Sequence, residues 1–479
     1  MDAKTVLFLG AGLAGTLISP AQKPNILLVV SDDHSAAHLG CYGNPDVRTP
    51  YLDDFARQGV RFARAYCASP QSVPSRAAIM TGRSPVAVDM TRFNVTLDRE
   101  FKTFPEYLRK AGYYVGVAGR GYHLDGTVDG VPGKIKEVEE YYLRNHYKTF
   151  PERLDTCMVI PDSRKGKNHV LINRQFFEFM DKRGPNKPFF LQLSYSDPHR
   201  PYDAPKVHDP SVLTLPAHYP DTRLVREDLA AYYDEIHRMD TDFGEILRYL
   251  QGSGLERNTI VVFTGDNGAA QFMGKGTLYE YGINVPLIFR WPGHYPEGKV
   301  IDRIASNEDL APTFLSAAGI PVPEEMTGTD LSGILLGQSE PDREYVFSVR
   351  SCHATNSLPH TTAVFDQMRC VIGQRYKLIY TLLPGLRYVP IDFARTPMFQ
   401  ELKSLHEQGT LAAPFDRLYF PEKRPMFELF DLANDPGERQ NLIDRPEYAA
   451  IQRELILALT YRMIRDRDFV TLPHPKLYE

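Results

Sequence analysis

Four apolar runs, each breaking off into a cluster of charged residues, limit what this chain can fold into more than any other feature. Asn25 to Val30 (NILLVV) runs into Asp32-Asp33-His34, and Tyr113 to Ala118 (YYVGVA) into Arg120 and His123. Pro188 to Ser194 (PFFLQLS) runs into Asp197-Pro198-His199-Arg200, and Asn258 to Phe263 (NTIVVF) into Asp266-Asn267-Gly268. An unbroken apolar run of this length marks a strand covered on both faces, as in a parallel sheet between two helical layers. In such sheets ligands bind beyond the carboxyl ends of the strands. Four strands therefore deliver acids, bases and cations to one edge.

Helical patterns separate the runs. Thr103 and Glu106 form a capping box ahead of a helix that ends at Gly112. From Arg226 to Leu250, Leu229, Tyr233, Ile236, Phe243, Ile246 and Leu250 keep to one helical face. Val285 to Phe289 reads as a further strand. The expected fold is α/β, with a large, doubly wound, mostly parallel sheet. After about residue 360 the runs RYKLIYTL and MFELFDL alternate polar and apolar residues, and an amphipathic helix covers Ala449 to Ile464. These predict a smaller C-terminal domain with an antiparallel sheet and one helix. The chain is thus expected to divide into a signal peptide over residues 1–22, described next, a catalytic domain over 23–360, and a C-terminal subdomain over 361–479.

Within 1–22, Lys4 precedes an apolar run from Val6 to Ile18, and Ser19-Pro20-Ala21 offers small residues for cleavage. This reads as a secretory signal and predicts a periplasmic or secreted protein. Gly10, Gly12 and Gly15 spell G-x-G-x-x-G, but Pro20 and Pro24 leave no room for the crossover helix that a dinucleotide fold requires. No later segment is long and apolar enough to span a bilayer. The net charge of −5, with no basic block, gives no reason to expect a nucleic-acid partner. The five cysteines are scattered, which excludes zinc-type spacing and a dense disulfide framework.

Asp32, Asp33, Asp266 and Asn267 offer only hard oxygen donors, a set suited to Ca²⁺ or Mg²⁺. Either pair alone reads equally well as a cap or turn; together at two strand ends they point to a metal. Arg76, Arg120 and Lys275 would add positive charge suited to a tetrahedral anion, and His123 and His199 are proton carriers. In SPQSVPSRAAIMTGR, starting at Ser69, Arg76 follows Ser72 by one helical turn. Ser72 is then a nucleophile, a helix cap, or the precursor of something more reactive.

The segment SVPSRAAIMTG resembles the signature of the type I sulfatases, formylglycine-dependent members of the alkaline phosphatase superfamily. The resemblance extends over nearly the whole chain, through SDDH, RGYHLDG, SDPHRPY, FTGDNG, GKGTLYE and ELFDLANDPGE. It implies that Ser72 is oxidised after translation to formylglycine by a sulfatase-maturating enzyme. A hydrated aldehyde carries two hydroxyls on one carbon, so one can attack sulfur while the other later expels sulfate; an unmodified serine has no such exit. By the same resemblance Asp32, Asp33, Asp266 and Asn267 bind one Ca²⁺ together with the residue at 72. Arg76 would steady the aldehyde hydrate, His123 would take its second proton, and His199 and Lys275 would contact the bridging oxygen of the ester. The family usually has Lys where this chain has Arg120, which keeps the charge but not its point geometry.

SDPHRPY and REDLAAYYDEIHRMD look most like the branch containing N-sulfoglucosamine sulfohydrolase, implying a sulfated sugar or polysaccharide substrate, N- or O-linked. His34, Arg92, Asn94, Arg200, His353 and His360 are candidate sugar contacts. Two other readings stand beside this one: a phosphonate or phosphodiester hydrolase using the same metal edge, and a non-catalytic glycan-binding protein with Ser72 unmodified.

Overall fold

The computed structural model describes residues 23–93, 95–120, 124, 150–159, 169–338, 343–353 and 361–470. The leader assigned to residues 1–22, together with Asn94, His123 and His360, lies outside them.

Eight strands make the large sheet: β1 (Asn25–Ser31), β2 (Val60–Tyr66), β3 (Tyr114–Gly119), β4 (Thr156–Val159), β5 (Phe189–Ser194), β6 (Thr259–Gly265), β7 (Leu287–Arg290) and β8 (Lys299–Ser306). Their spatial order is β4-β3-β5-β1-β6-β7-β2-β8. Only β7 runs antiparallel to its neighbours, β6 and β2. The four strands read from the polar clusters at their ends, β3, β5, β1 and β6, are consecutive in the centre of the sheet.

Alternation along β1 explains why that strand is apolar throughout. Leu27 and Val29 face one core, shared with α1 (Pro50–Arg57), and Ile26, Leu28 and Val30 face the other, shared with α2 (Ser72–Thr81) and α3 (Phe104–Lys110). All five are fully buried, each worth about 1.5–3 kcal/mol of transfer free energy. The first core also takes α4 (His169–Lys182) and α5 (Arg223–Gly252). The second also takes α6 (Leu310–Ala317). The Thr103/Glu106 capping box forms as read. Helix α5 starts at Arg223, three residues before the Arg226 start read from sequence, because Thr222 Oγ1 accepts from Val225 N–H and caps it there.

The smaller sheet is antiparallel, with order β12-β11-β10-β9. Its strands are β9 (Val346–Arg350), β10 (Met368–Ile372), β11 (Tyr376–Thr381) and β12 (Phe427–Asp431). One of its faces packs on Tyr66, Cys67, Leu278 and Ile304 of the large domain. In the connection from β11 to β12, α7 (Pro397–Glu407) lays Met398, Phe399 and Leu402 against the α5 core. The other face of the small sheet packs on α8 (Ala449–Arg465) through Leu455, Ile456, Leu459 and Met463. Helix α8 is tied back to the large domain by Arg462, whose guanidinium lies 2.9 Å from Glu308 in a buried pair. All five cysteines are free thiols. Among the described residues no helix is long and apolar enough to cross a membrane.

Candidate active site

Backbone hydrogen bonds between neighbouring strand ends hold the polar clusters in register. Asp266 N–H donates to Ser31 O, Asp32 N–H to Asp197 O, and Arg120 N–H to Ser194 O, each within 3.0–3.1 Å. Gly119, at the end of β3, has φ +75°, and a Cβ there would collide with the backbone of Ser194. Only glycine lets β3 turn sharply enough to present Arg120.

Ser72 is the first residue of α2, and its Oγ donates to Asn267 Oδ1 at 3.0 Å and lies 3.4 Å from Asp32 Oδ1. Its hydroxyl is therefore committed across the site and not to the first turn of its own helix, which removes the capping role. Arg76, one turn on, is almost fully buried. It reaches Asp266 Oδ2 through Nε at 3.1 Å and Nη2 at 3.0 Å, Asp32 Oδ2 at 3.4 Å, and Ser194 Oγ at 3.1 Å. Arg120 places Nε 2.9 Å from Asp32 Oδ2 and Nη2 3.4 Å from His199 Nε2. Lys275 Nζ lies 2.8 Å from Asp33 Oδ1. Its loop is anchored by Gly276 N–H donating to Pro70 O at 3.0 Å, just ahead of Ser72.

Asp32, Asp33 and His199 present ligand atoms within 4.8 Å of one another. Asn267 Nδ2 donates to Asp33 Oδ1 at 2.9 Å and to Gly268 O, which turns Oδ1 toward Ser72. Asp266 differs from its partners. Its Oδ1 accepts from Asp33 N–H and Asn267 N–H at 3.1 and 2.7 Å, and its Oδ2 is held by Arg76. The donor set nevertheless fits a hard divalent cation, being oxygen-rich and buried. Asp32 Oδ2 is buried and accepts no well-formed hydrogen bond, despite lying at ion-pair distance from two arginines. Burial raises the Asp33 carboxyl to about 7 against the pull of Lys275. Burial likewise raises Asp266, with the charge of Asp32 adding to it. Burial would raise Asp32 too, but Arg120, His199, Arg76 and Lys275 together outweigh it and hold that carboxyl low. Burial, reinforced by Arg120 and Lys275, keeps the His199 imidazole well below its ordinary value.

Of the candidate sugar contacts, His34 is fully buried, with Nδ1 3.1 Å from Ser31 Oγ and its ring edge-on to Phe263. It supports the end of β1 and does not face a ligand. Arg200 is committed to Asp228, with Nη1 2.8 Å from Oδ1, and lies over the ring of Tyr202. His353 does reach the site rim. Its Nδ1 lies 3.2 Å from Gln71 Nε2, and its ring meets Phe93 edge-on. Arg92 is exposed.

Asp392 is absent from the sequence reading. Its Oδ2 lies 2.6 Å from Lys275 Nζ and 3.6 Å from His199 Nε2, and its Oδ1 lies 3.9 Å from His353 Nε2. Nothing local marks it: Ile391-Asp392-Phe393 follows no strand and matches no metal-type spacing.

The family model described as Sulfatase matches residues 24–320, and that described as N-sulphoglucosamine sulphohydrolase, C-terminal, matches 268–412. The chain is 29% identical to human N-sulphoglucosamine sulphohydrolase, covering 90% of this chain and 88% of that protein. It is 27% identical to an ulvan-active sulfatase of Formosa agariphila, covering 91% and 79%. Two solved structures share the fold. One is BT4656 in complex with its substrate D-glucosamine-2-N,6-O-disulfate, at TM-score 0.68 and 20% identity over 93% of this chain and 99% of that one. The other is the phosphonate monoester hydrolase of Agrobacterium radiobacter, at TM-score 0.71 and 20% identity over 92% and 96%.

Proposed function

The chain belongs to the sulfatase family, a branch of the alkaline phosphatase superfamily, and is a sulfuric ester hydrolase; we propose that it removes sulfate from a sulfated sugar or polysaccharide through a formylglycine made from Ser72. The observation that carries this reading is the position of Ser72. It lies at a helix N-terminus with its Oγ between Asn267 and Asp32, and the guanidinium of Arg76 stands one turn behind it. The partial positive charge of the helix end favours an oxyanion at this position.

Asp32, Asp33, Asp266 and Asn267 would hold one Ca²⁺, which when bound would supply positive charge to the substrate's sulfate oxygens and to the residue at 72. Arg76 fixes the carboxylates around that residue and limits where its side chain can point. Arg120 holds Asp32 ionised and sits against His199. Lys275 and His199 both lie beside Asp33, where they would stabilise a leaving oxygen. Burial works against the Lys275 charge, but Asp33 and Asp392 hold its pKa above the ordinary value, so it stays cationic. His123, expected to take a proton during sulfate release, keeps that role as part of this proposal.

A sulfated glycan as substrate is supported by the curated relatives, and a sulfatase-maturating enzyme is the partner the modification requires. The proposal includes cleavage after a leader within residues 1–22, export to the periplasm or medium, and the division at residue 360.

Two measurements on protein from its native host test the reading. The first is the mass of the proteolytic peptide carrying Ser72, where loss of two hydrogens and capture by a hydrazine reagent are expected. The second is sulfate release from sulfated monosaccharides, set against phosphate or phosphonate release from matched esters. An active native enzyme with an unmodified Ser72 would overturn the formylglycine reading. Preference for the phosphonate ester would move the chain to the other hydrolytic class.

A further inference from the structure

Most of the described charged groups around Ser72 have a task in handling the sulfate, and Asp392 has none. Lys275 is already paired with Asp33 at 2.8 Å, so a second carboxylate at 2.6 Å is not needed to neutralise it. A negative group beside the mouth of a site that admits an anion also repels the substrate, unless it is matched by hydrogen-bond donors on that substrate. Unlike the fully buried Asp32, Asp33 and Asp266, the Asp392 side chain is 30% exposed and so can reach a ligand.

Its position is also held firmly. Asp392 has φ +64°, a conformation that costs a non-glycine residue energy. The buried side chains of Ile391 and Phe393 pin the backbone on both sides, Phe393 against Phe272 and Phe399. Ile391 in turn lies directly over Gly276, where any side chain would collide with it. The loop carrying Asp392 is thus packed onto the loop carrying Lys275. Such fixing of an otherwise unfavourable residue is what a preformed binding group requires.

We propose that Asp392 is a specificity-determining residue that accepts a hydrogen bond from a hydroxyl on the ring carbon next to the one bearing the sulfate. This rests on the sulfatase reading above, in which Lys275 and His199 face the bridging oxygen. Asp392 Oδ2 lies beside both of those groups. An acceptor that adjacent to the bridging atom meets the substituent on the neighbouring ring carbon, not one further round the sugar. His353, beside Oδ1 and braced by Gln71 and Phe93, closes the same side of the pocket. The preferred substrate therefore carries its sulfate on a ring carbon, or on its nitrogen, with a free hydroxyl next to it. A 6-sulfate on the exocyclic carbon lacks such a neighbour.

The test uses the mature full-length enzyme with N-, 2-O-, 3-O-, 4-O- and 6-O-sulfated monosaccharides and with 4-methylumbelliferyl sulfate, an ester without a sugar. The best monosaccharide is then compared with its analogue lacking the adjacent hydroxyl. In the wild type that deletion is expected to lower kcat/KM at least tenfold, in Asp392→Ala by less than threefold, and in Asp392→Asn, whose amide oxygen is a weaker acceptor, by an intermediate factor. The ratio of kcat/KM on the sugar to that on the aryl ester should fall at least tenfold in Asp392→Ala and by less in Asp392→Asn. Equal losses on the two esters would overturn the proposal and leave Asp392 as a positioning residue for Lys275. So would the 6-O-sulfate as best substrate. A wild type inactive on every sulfate, the aryl ester included, would overturn the sulfatase reading itself and this proposal with it. Thermal melts of both variants identify any that fail to fold, and the other variant then decides.

Discussion

Replacing Arg76 with Ala separates the two tasks this structure gives that residue. In the buried site its guanidinium lies 3.0 Å from Asp266 and 3.4 Å from Asp32. Removing one partner of a buried ion pair typically costs about 3–5 kcal/mol, because the other charge is left uncompensated. In a chain of this length that corresponds to a fall in Tm of roughly 3–5 °C, from the usual entropy of unfolding per residue. Metal affinity should move the other way. Arg76 holds Asp266 Oδ2 and adds positive charge where a divalent cation would sit. A unit charge about 5 Å from a divalent ion, at an effective dielectric of about 20, contributes up to roughly 7 kcal/mol of repulsion. The metal-free variant should therefore bind Ca²⁺ at least tenfold more tightly than the metal-free wild type by calorimetric titration. Its kcat should fall by about 10²–10³, the loss typical of one preorganised electrostatic group. Arg76→Lys, which keeps the charge, should leave the calcium Kd within a few-fold. Equal or weaker calcium binding by the Ala variant, with its fold intact, would refute the assignment of Asp266 and Asp32 to a shared cation site.

Arg120→Lys should lower kcat/KM about tenfold, about 1.4 kcal/mol, because an ammonium cannot bridge Asp32 and His199 as the guanidinium does; unchanged steady-state kinetics would show that the fork is unused. Glu428, raised to about 7 chiefly by burial and bonded by Tyr279 Oη–H at 2.8 Å, contributes stability that is full below the carboxylate's unfolded value and is lost as pH rises through 7. Urea unfolding at pH 5 and pH 8 should therefore show Glu428→Gln gaining on the wild type as pH rises, and a constant difference would contradict the shift. Arg462→Met should cost about 3–5 kcal/mol by leaving Glu308 and Asp466 buried without their ion-pair partner, and adding Glu308→Gln should recover part of that loss. A double variant as unstable as the single one would mean that Arg462 does not act through Glu308.

Most of the site residues that could be read from sequence sit in a chemical cluster at the end of an apolar run; Ser72, Arg76 and Lys275 lie outside such runs and are read from their own segments. Asp32, Asp33, Arg120, His199, Asp266 and Asn267 follow β1, β3, β5 and β6, and these strands are neighbours in the sheet. Burial on both faces makes such strands conspicuous. Strands β2 and β8 are only partly covered and mix Arg, Lys and Asp with apolar residues, so no run announces them. The reversed direction of β7 leaves no trace in its four residues. Asp392 is the instructive miss. It lies 117 residues beyond Lys275, and its importance comes only from the packing of Ile391 onto Gly276, a tertiary contact without a local pattern. Polarity also misled in the case of His34. A histidine following a strand-end carboxylate pair reads as a ligand contact, whereas the fold turns it inward against Ser31 and Phe263.

The loop over Gly276 joins two stretches of chain under different constraints. The carboxylates of the hydrolytic centre, with Arg120, come from the ends of central strands, where every substitution disturbs its neighbours. Asp392 and His353 come from connections around the small sheet, held by a few apolar anchors. Changes in those connections can exchange one sugar preference for another while the hydrolytic centre stays as it is. A lineage of such enzymes could therefore diversify its diet by altering its outer loops. Grafting the segment around residue 392 between relatives is a practical route to redirecting one.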